Sequence, residues 1–218
     1  MKFKEYKTVL SKSTYEFEEK KSVFICDIIN CKSEDEAVKF ISEIKSKHRQ
    51  ANHVCHAYVI GENKLIQRYS DDGEPQGTAG IPMLEVLKKE DITNVCATVT
   101  RYYGGVKLGA SGLIRAYSRA CSLAIAQGSV VYMKNYKEIS LIFDYTLIGK
   151  VDNYISVNDY YQIMREYTDK VRIDLYISEE EFEKFYKDIT DLSKASCEII
   201  IKNDLLLAEN NRKIVKGE

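Results

Sequence analysis

Val95-Cys96-Ala97-Thr98-Val99-Thr100-Arg101-Tyr102-Tyr103-Gly104-Gly105-Val106-Lys107-Leu108-Gly109-Ala110-Ser111-Gly112-Leu113-Ile114-Arg115-Ala116-Tyr117 passes from an apolar run, through four glycines in nine residues, into helical spacing. Val95–Arg101 reads as a buried strand, rich in β-branched and small residues. A helix is expected from about Leu113 to Gln127, with Gly128 as its C′ residue. Leu113, Tyr117, Ala120 and Ala124 form one stripe, which sends Arg115 and Arg119 to the opposite, solvent-facing side. Strand, glycine loop and helix thus follow one another directly.

Upstream, Tyr6–Ser13, Tyr15–Lys20 and Ser22–Asn30 read as strands. Ser33 with Glu36 is a capping box that opens a helix whose stripe is Ala37, Phe40, Ile41 and Ile44. His53–Ile60 and Leu65–Ser70 form a hairpin around Gly61-Glu62-Asn63, and a loop over Asp71–Gly77 leads to a short helix that includes Pro82–Lys89. Nine of the eleven glycines and both prolines lie between Gly61 and Gly128, so composition changes near Ser129–Lys134. Beyond it the order is strand (Lys137–Asp144), helix (Thr146–Val157), strands (Tyr160–Tyr167, Val171–Ser178), helix (Glu179–Leu192), strand (Glu198–Ala208). That βαββαβ order is the split-βαβ, ferredoxin-like pattern. The expected domains are residues 1–131 and 132–209, followed by a polar tail over 210–218 that frays.

The 218 residues carry a formal net charge of −1, divided unevenly. Residues 1–133 hold 19 Lys+Arg against 16 Asp+Glu, a balance of +3; residues 134–218 hold 13 against 17, a balance of −4. Neither half has the basic excess of a dedicated nucleic-acid binder, so any such site must be a local patch. No apolar run approaches the roughly 20 residues that cross a bilayer, and the N-terminus leads into no signal-like apolar segment. Six cysteines without C-x-x-C spacing then read as free, buried thiols in a cytoplasmic protein.

Three stretches can carry chemistry. The glycine loop brings backbone amides and a helix N-terminus beside Arg101 and Lys107, an anion-ready corner; the other reading is that its glycines serve only tight turns and close packing. It is neither a Walker A motif nor G-x-G-x-x-G. The acidic loop Ser70-Asp71-Asp72-Gly73-Glu74-Pro75-Gln76-Gly77 can be a solvated turn, a contact for a basic partner, or a ligand set for a hard cation. In Asn52-His53-Val54-Cys55-His56, a strand places His53 and Cys55 on one face and His56 on the other, which is poor geometry for a shared zinc. No metal, cofactor or catalytic residue is assigned.

The runs His53-Val54-Cys55-His56-Ala57-Tyr58, Asp71-Asp72-Gly73-Glu74-Pro75-Gln76-Gly77-Thr78-Ala79-Gly80 and Val99-Thr100-Arg101-Tyr102-Tyr103-Gly104-Gly105-Val106-Lys107-Leu108-Gly109, in this order and spacing, resemble the signature of the YigZ/IMPACT family. The resemblance is strong over about residues 20–127. It implies an N-terminal α/β domain like domain 2 of ribosomal proteins, and a C-terminal ferredoxin-like domain similar to elongation factor G domain V. Eukaryotic relatives regulate translation, and bacterial relatives are proposed to bind nucleic acid or ribosomes.

The expected protein is therefore an α+β, translation-associated binding or regulatory protein rather than a demonstrable enzyme. Its RNA or anion surface would be Arg101, Tyr102, Gly104, Gly105, Lys107, Gly109, Arg115 and Arg119. A partner-binding surface would be His53, Asp71, Asp72 and Glu74. Two alternatives stay open: a protein–protein regulator acting through the acidic loop, and a nucleotide-dependent phosphoryl-transfer enzyme with a metal on Asp71 and Asp72. The partners called for are RNA or a ribosome-associated factor, with a regulatory protein as the second choice and no membrane.

Overall fold

Alternation and helical spacing translate into eleven strands and five α-helices in the computed structural model, which describes residues 2–215. Their order is β1 (Tyr6–Val9), β2 (Ser13–Glu19), β3 (Ser22–Asn30), α1 (Glu34–Lys47), β4 (His53–Ile60), β5 (Ile66–Ser70), α2 (Gly80–Lys89), β6 (Val95–Tyr102), α3 (Ala110–Gln127), β7 (Val130–Phe143), α4 (Ile148–Val157), β8 (Tyr161–Tyr167), β9 (Val171–Ser178), α5 (Phe182–Ser193), β10 (Glu198–Asn210) and β11 (Lys213–Ile214). The chain is an α+β protein with two antiparallel sheets. It divides into two compact units, Tyr6–Tyr132 and Met133–Val215, the second joined by the residues before Tyr6. None of the described helices is long and apolar enough to cross a membrane.

In the first unit the strand order is β2-β3-β6-β4-β5, and each neighbouring pair is antiparallel. Val95 through Arg101 of β6 are all buried because both faces of this sheet are covered. On one face Phe24, Cys26, Cys55, Ala57, Ala97 and Val99 meet Met83 and Leu87 of α2 and the α3 stripe of Leu113, Ala116, Tyr117 and Ala120. On the other, Val54, Tyr58, Ile60 and Cys96 meet Ala37, Phe40, Ile41 and Ile44 of α1. Ser33 caps α1 by accepting the Glu36 amide at 3.2 Å. α3 begins at Ala110, three residues before the helical pattern does, because Gly109 at φ 76° turns the chain into its first bond, Leu113 N–H to the Gly109 carbonyl.

In the second unit the order β11-β10-β7-β9-β8 places β7 and β9 at the centre. Ile139, Leu141 and Phe143 of β7 and Ile173 and Leu175 of β9 face α4 and α5, where Val151, Phe185 and Ile189 complete the core. The other face of these strands is polar. Asp174 is buried there and accepts hydrogen bonds from Ser140 (2.5 Å), Lys202 (2.7 Å) and Arg172 (3.1 Å). Burial by itself would raise the Asp174 carboxyl, but Lys202, Ser140 and Arg172 outweigh it and bring it down to about 2. The polar composition after Glu209 suggests fraying, yet β10 runs to Asn210 and pairs with β11, Glu209 opposite Ile214 and Asn210 opposite Lys213. Asn211 and Arg212, at φ 50° and 63°, make the tight turn between them. The last three residues of the expected tail lie outside the described residues.

All six cysteines are free: five are buried, and Cys197 is half-buried.

Candidate functional site

β6 ends in an enclosed ion pair. Arg101 is 5% exposed, and its Nη1 donates to Glu74 Oε1 at 2.6 Å. Tyr117 of α3 donates its hydroxyl to the same oxygen at 2.8 Å, and Arg101 Nη2 reaches Ser22 Oγ at 3.4 Å. The guanidinium lies between the rings of Phe24 and Tyr103, 5.4 and 5.3 Å from their centroids. Burial, followed by the neighbouring Cys55 and Glu74, pushes the Tyr117 phenol far up, so it stays a donor. His53 Nε2 stands 3.9 Å from the same Glu74 oxygen. Arg101 was expected on the phosphate-facing surface and Glu74 on a partner surface. Both are instead inside, because each charge needs the other once α3 closes over the sheet.

The acidic loop is likewise turned on itself. Asp71 accepts the amides of Ala79 (3.0 Å), Gly80 (2.8 Å) and Gly77 (2.8 Å). It thereby ties the loop to the start of α2. Asp72 accepts the Val54 amide at 2.7 Å and Lys45 Nζ at 2.6 Å. Burial pushes the Asp72 carboxyl up, but Lys45 and the Val54 amide outweigh it, and the net shift is downward. His53 Nδ1 lies 2.9 Å from the Asp72 carbonyl, and Cys55 donates its thiol to the Asp71 carbonyl at 2.9 Å. With their oxygens committed to donors, Asp71 and Asp72 are a poor cation site. No group of three His, Cys, Asp or Glu among the described residues could hold a metal.

The glycine loop has two kinds of glycine. A Cβ on Gly104 would sit 1.9 Å from the Lys21 carbonyl oxygen, so this glycine exists for packing against the Lys20–Lys21 turn. Gly105 and Gly109 have φ of 81° and 76°, and open space lies where their Cβ would be. Tyr102 is held by His48, hydroxyl to Nδ1 at 2.9 Å. Lys107 and Arg115 are exposed and have no acidic partner among the described residues. Arg119 is exposed too but engaged, over the Phe17 ring at 4.7 Å and 3.8 Å from Glu19. Arg115, Arg119 and Lys20 share a groove of about 220 Å³ floored by Phe17, Leu108 and Gly112. At its edge α3 begins without a side-chain cap. The Ala110, Ser111 and Gly112 amides precede the first intrahelical bond and have no partner within the helix.

Of the residues expected to bind anions, Gly105, Lys107, Gly109 and Arg115 thus belong to the accessible rim, with Arg119 beside them. Sequence reasoning missed Lys20 and Tyr117. Lys20 read as the last residue of a strand, with nothing to set it against the glycine loop, and Tyr117 read only as part of the core stripe.

Residues 20–125 match the Impact N-terminal domain, and residues 141–196 match a domain of unknown function (DUF1949). The chain is similar to the IMPACT family member YvyE of Bacillus subtilis, 46% identical over 166 residues that cover 76% of each protein. It is also similar to the IMPACT family member YigZ of Escherichia coli, 35% identical over 150 residues covering 65% of this chain and 74% of the relative. A crystal structure of a hypothetical protein matches 92% of this chain and 98% of its own, with a TM-score of 0.59 and 28% identity.

Proposed function

The chain belongs to the IMPACT family, and on that footing we propose that it is a translation-associated binding protein whose first unit contacts RNA or ribosomal components through the rim of the glycine loop. One observation carries this reading. Lys20, Lys107 and Arg115 are cations without acidic partners among the described residues, next to an uncapped N-terminus of an 18-residue helix. The acids of the same signature are spent internally, so the rim presents positive charge and open amides to a phosphate. Tyr103, 43% exposed, supplies a ring for stacking at the same loop. We read the first unit as related to domain 2 of ribosomal proteins. We read the second as ferredoxin-like, because its βαββαβ elements take the spatial order β10-β7-β9-β8. The same reading places the protein in the cytoplasm, in keeping with six free cysteines.

Fluorescence anisotropy with a single-stranded RNA oligonucleotide, repeated over a range of salt, tests the proposal. Lys107→Ala with Arg115→Ala should weaken binding and flatten the slope of log K against log salt by about 0.7 per lost contact. Asp72→Asn, at an acid turned inward, should leave RNA affinity unchanged. Wild-type affinity and slope in the double variant would overturn the assignment.

A further inference from the structure

A cleft of about 850 Å³ opens at one end of the second unit's sheet. The strand order determines its electrical character. On the β10–β11 side the hairpin carries Arg212 and Lys213, neither with an ion-pair partner among the described residues. In the middle, on β7 and β10, Lys134 is paired with Glu209 at 3.1 Å, and Tyr136 donates to Glu209 at 2.6 Å, so that charge is already neutralised. Past the end of β9 lies Glu180, whose charge also acts on Lys134, and before β8 lies Asp159; neither is in a salt bridge among the described residues. Beside them the rings of Tyr161 and Tyr176 stack at 5.7 Å, with Tyr161 37% exposed.

The cleft is thus positive at one end, neutral in the middle, and negative with an aromatic face at the other. β10 and β8 are three inter-strand gaps apart, about 14 Å at about 4.8 Å each. That span matches about four residues of extended chain at about 3.3 Å per residue. We propose that this cleft binds a short, extended, zwitterionic oligopeptide. Its ammonium end lies against Glu180, Asp159 and the Tyr161 ring, where carboxylates and an aromatic face both favour a cation. Its carboxylate end lies at Arg212 and Lys213, where a guanidinium can hold both oxygens. The volume falls within the range of small-ligand sites. A polyanion fits badly: phosphates that follow one held at Arg212 would run onto Glu180 and Asp159.

Isothermal titration calorimetry on the full chain with tetraalanine, its N-acetylated form and its C-amidated form tests the proposal. The free-ended peptide should bind, and blocking either end should weaken it about tenfold. Glu180→Gln should abolish the acetylation penalty and keep the amidation penalty. Arg212→Asn should do the reverse; asparagine tolerates the φ of 63° at this position. Equal binding of free and blocked peptides, or no heat up to about 10 mM peptide, would overturn the assignment. So would an RNA oligonucleotide whose binding depends on Arg212, which would make the cleft a polyanion site.

Discussion

Arg101 and Glu74 hold opposite charges out of water at 6% and 3% side-chain exposure. Removing either leaves the other unpaired, a loss of about 3–5 kcal/mol. Urea denaturation should therefore show Arg101→Ala and Glu74→Ala each strongly destabilised, and Arg101→Met with Glu74→Leu recovering most of the loss. If Arg101→Ala keeps wild-type stability, the pair is not structural. At this scale the sequence was half legible. Residue types identified which side chains carry charge, and the α3 stripe placed Tyr117 inside. Which charges find one another depends on loop closure across a sequence separation of 27 between Glu74 and Arg101, and no local pattern encodes that. The same limit applies to Asp71, whose three amide donors lie six to nine residues downstream.

At the scale of elements, long periodic segments were readable because burial imposes their spacing: α1 with its cap, β6, α3 and the βαββαβ order of the second half all follow from it. β11 was not, since a two-residue polar strand exists only through its pairing with β10. β7 begins at Val130, seven residues before the strand pattern inferred at Lys137. Within the glycine loop the two kinds of glycine make opposite forecasts. Gly104→Ala must displace backbone at Lys21 and should cost about 2–3 kcal/mol, the range of overpacking. Gly105→Ala meets only the strain of a positive φ, about 1 kcal/mol. Thermal unfolding of the two variants checks the ranking, and equal losses would remove the packing role given to Gly104.

For the whole molecule, acid should act on the two units at different pH. All three histidines lie in the first unit. Burial, with Lys45 adding to it against Asp72, lowers His56; burial and Lys47, against Asp27 and Glu16, lower His48. A lowered histidine is neutral in the fold and protonates more readily when unfolded. Its contribution is therefore complete above about pH 6.5 and declines as pH falls toward the folded values. Asp174 in the second unit behaves differently: its contribution is complete above about pH 4 and is lost as pH falls toward about 2. Calorimetry from about pH 7 to pH 3 should show the first unit's transition moving down first, and His48→Gln with His56→Gln should remove that early movement. Both units shifting together would contradict the assignment.

The seclusion of the thiols has a practical corollary for spectroscopy. Burial holds Cys31 and Cys55 up at about 12 and Cys197 up at about 11, and Cys26, Cys96 and Cys121 are fully enclosed, so maleimide reagents find almost no accessible thiolate in the native chain. The wild-type protein is in effect a silent background for single-site labelling. A cysteine introduced at exposed Lys107 or Arg212 would take a fluorophore by itself, with no native cysteine replaced.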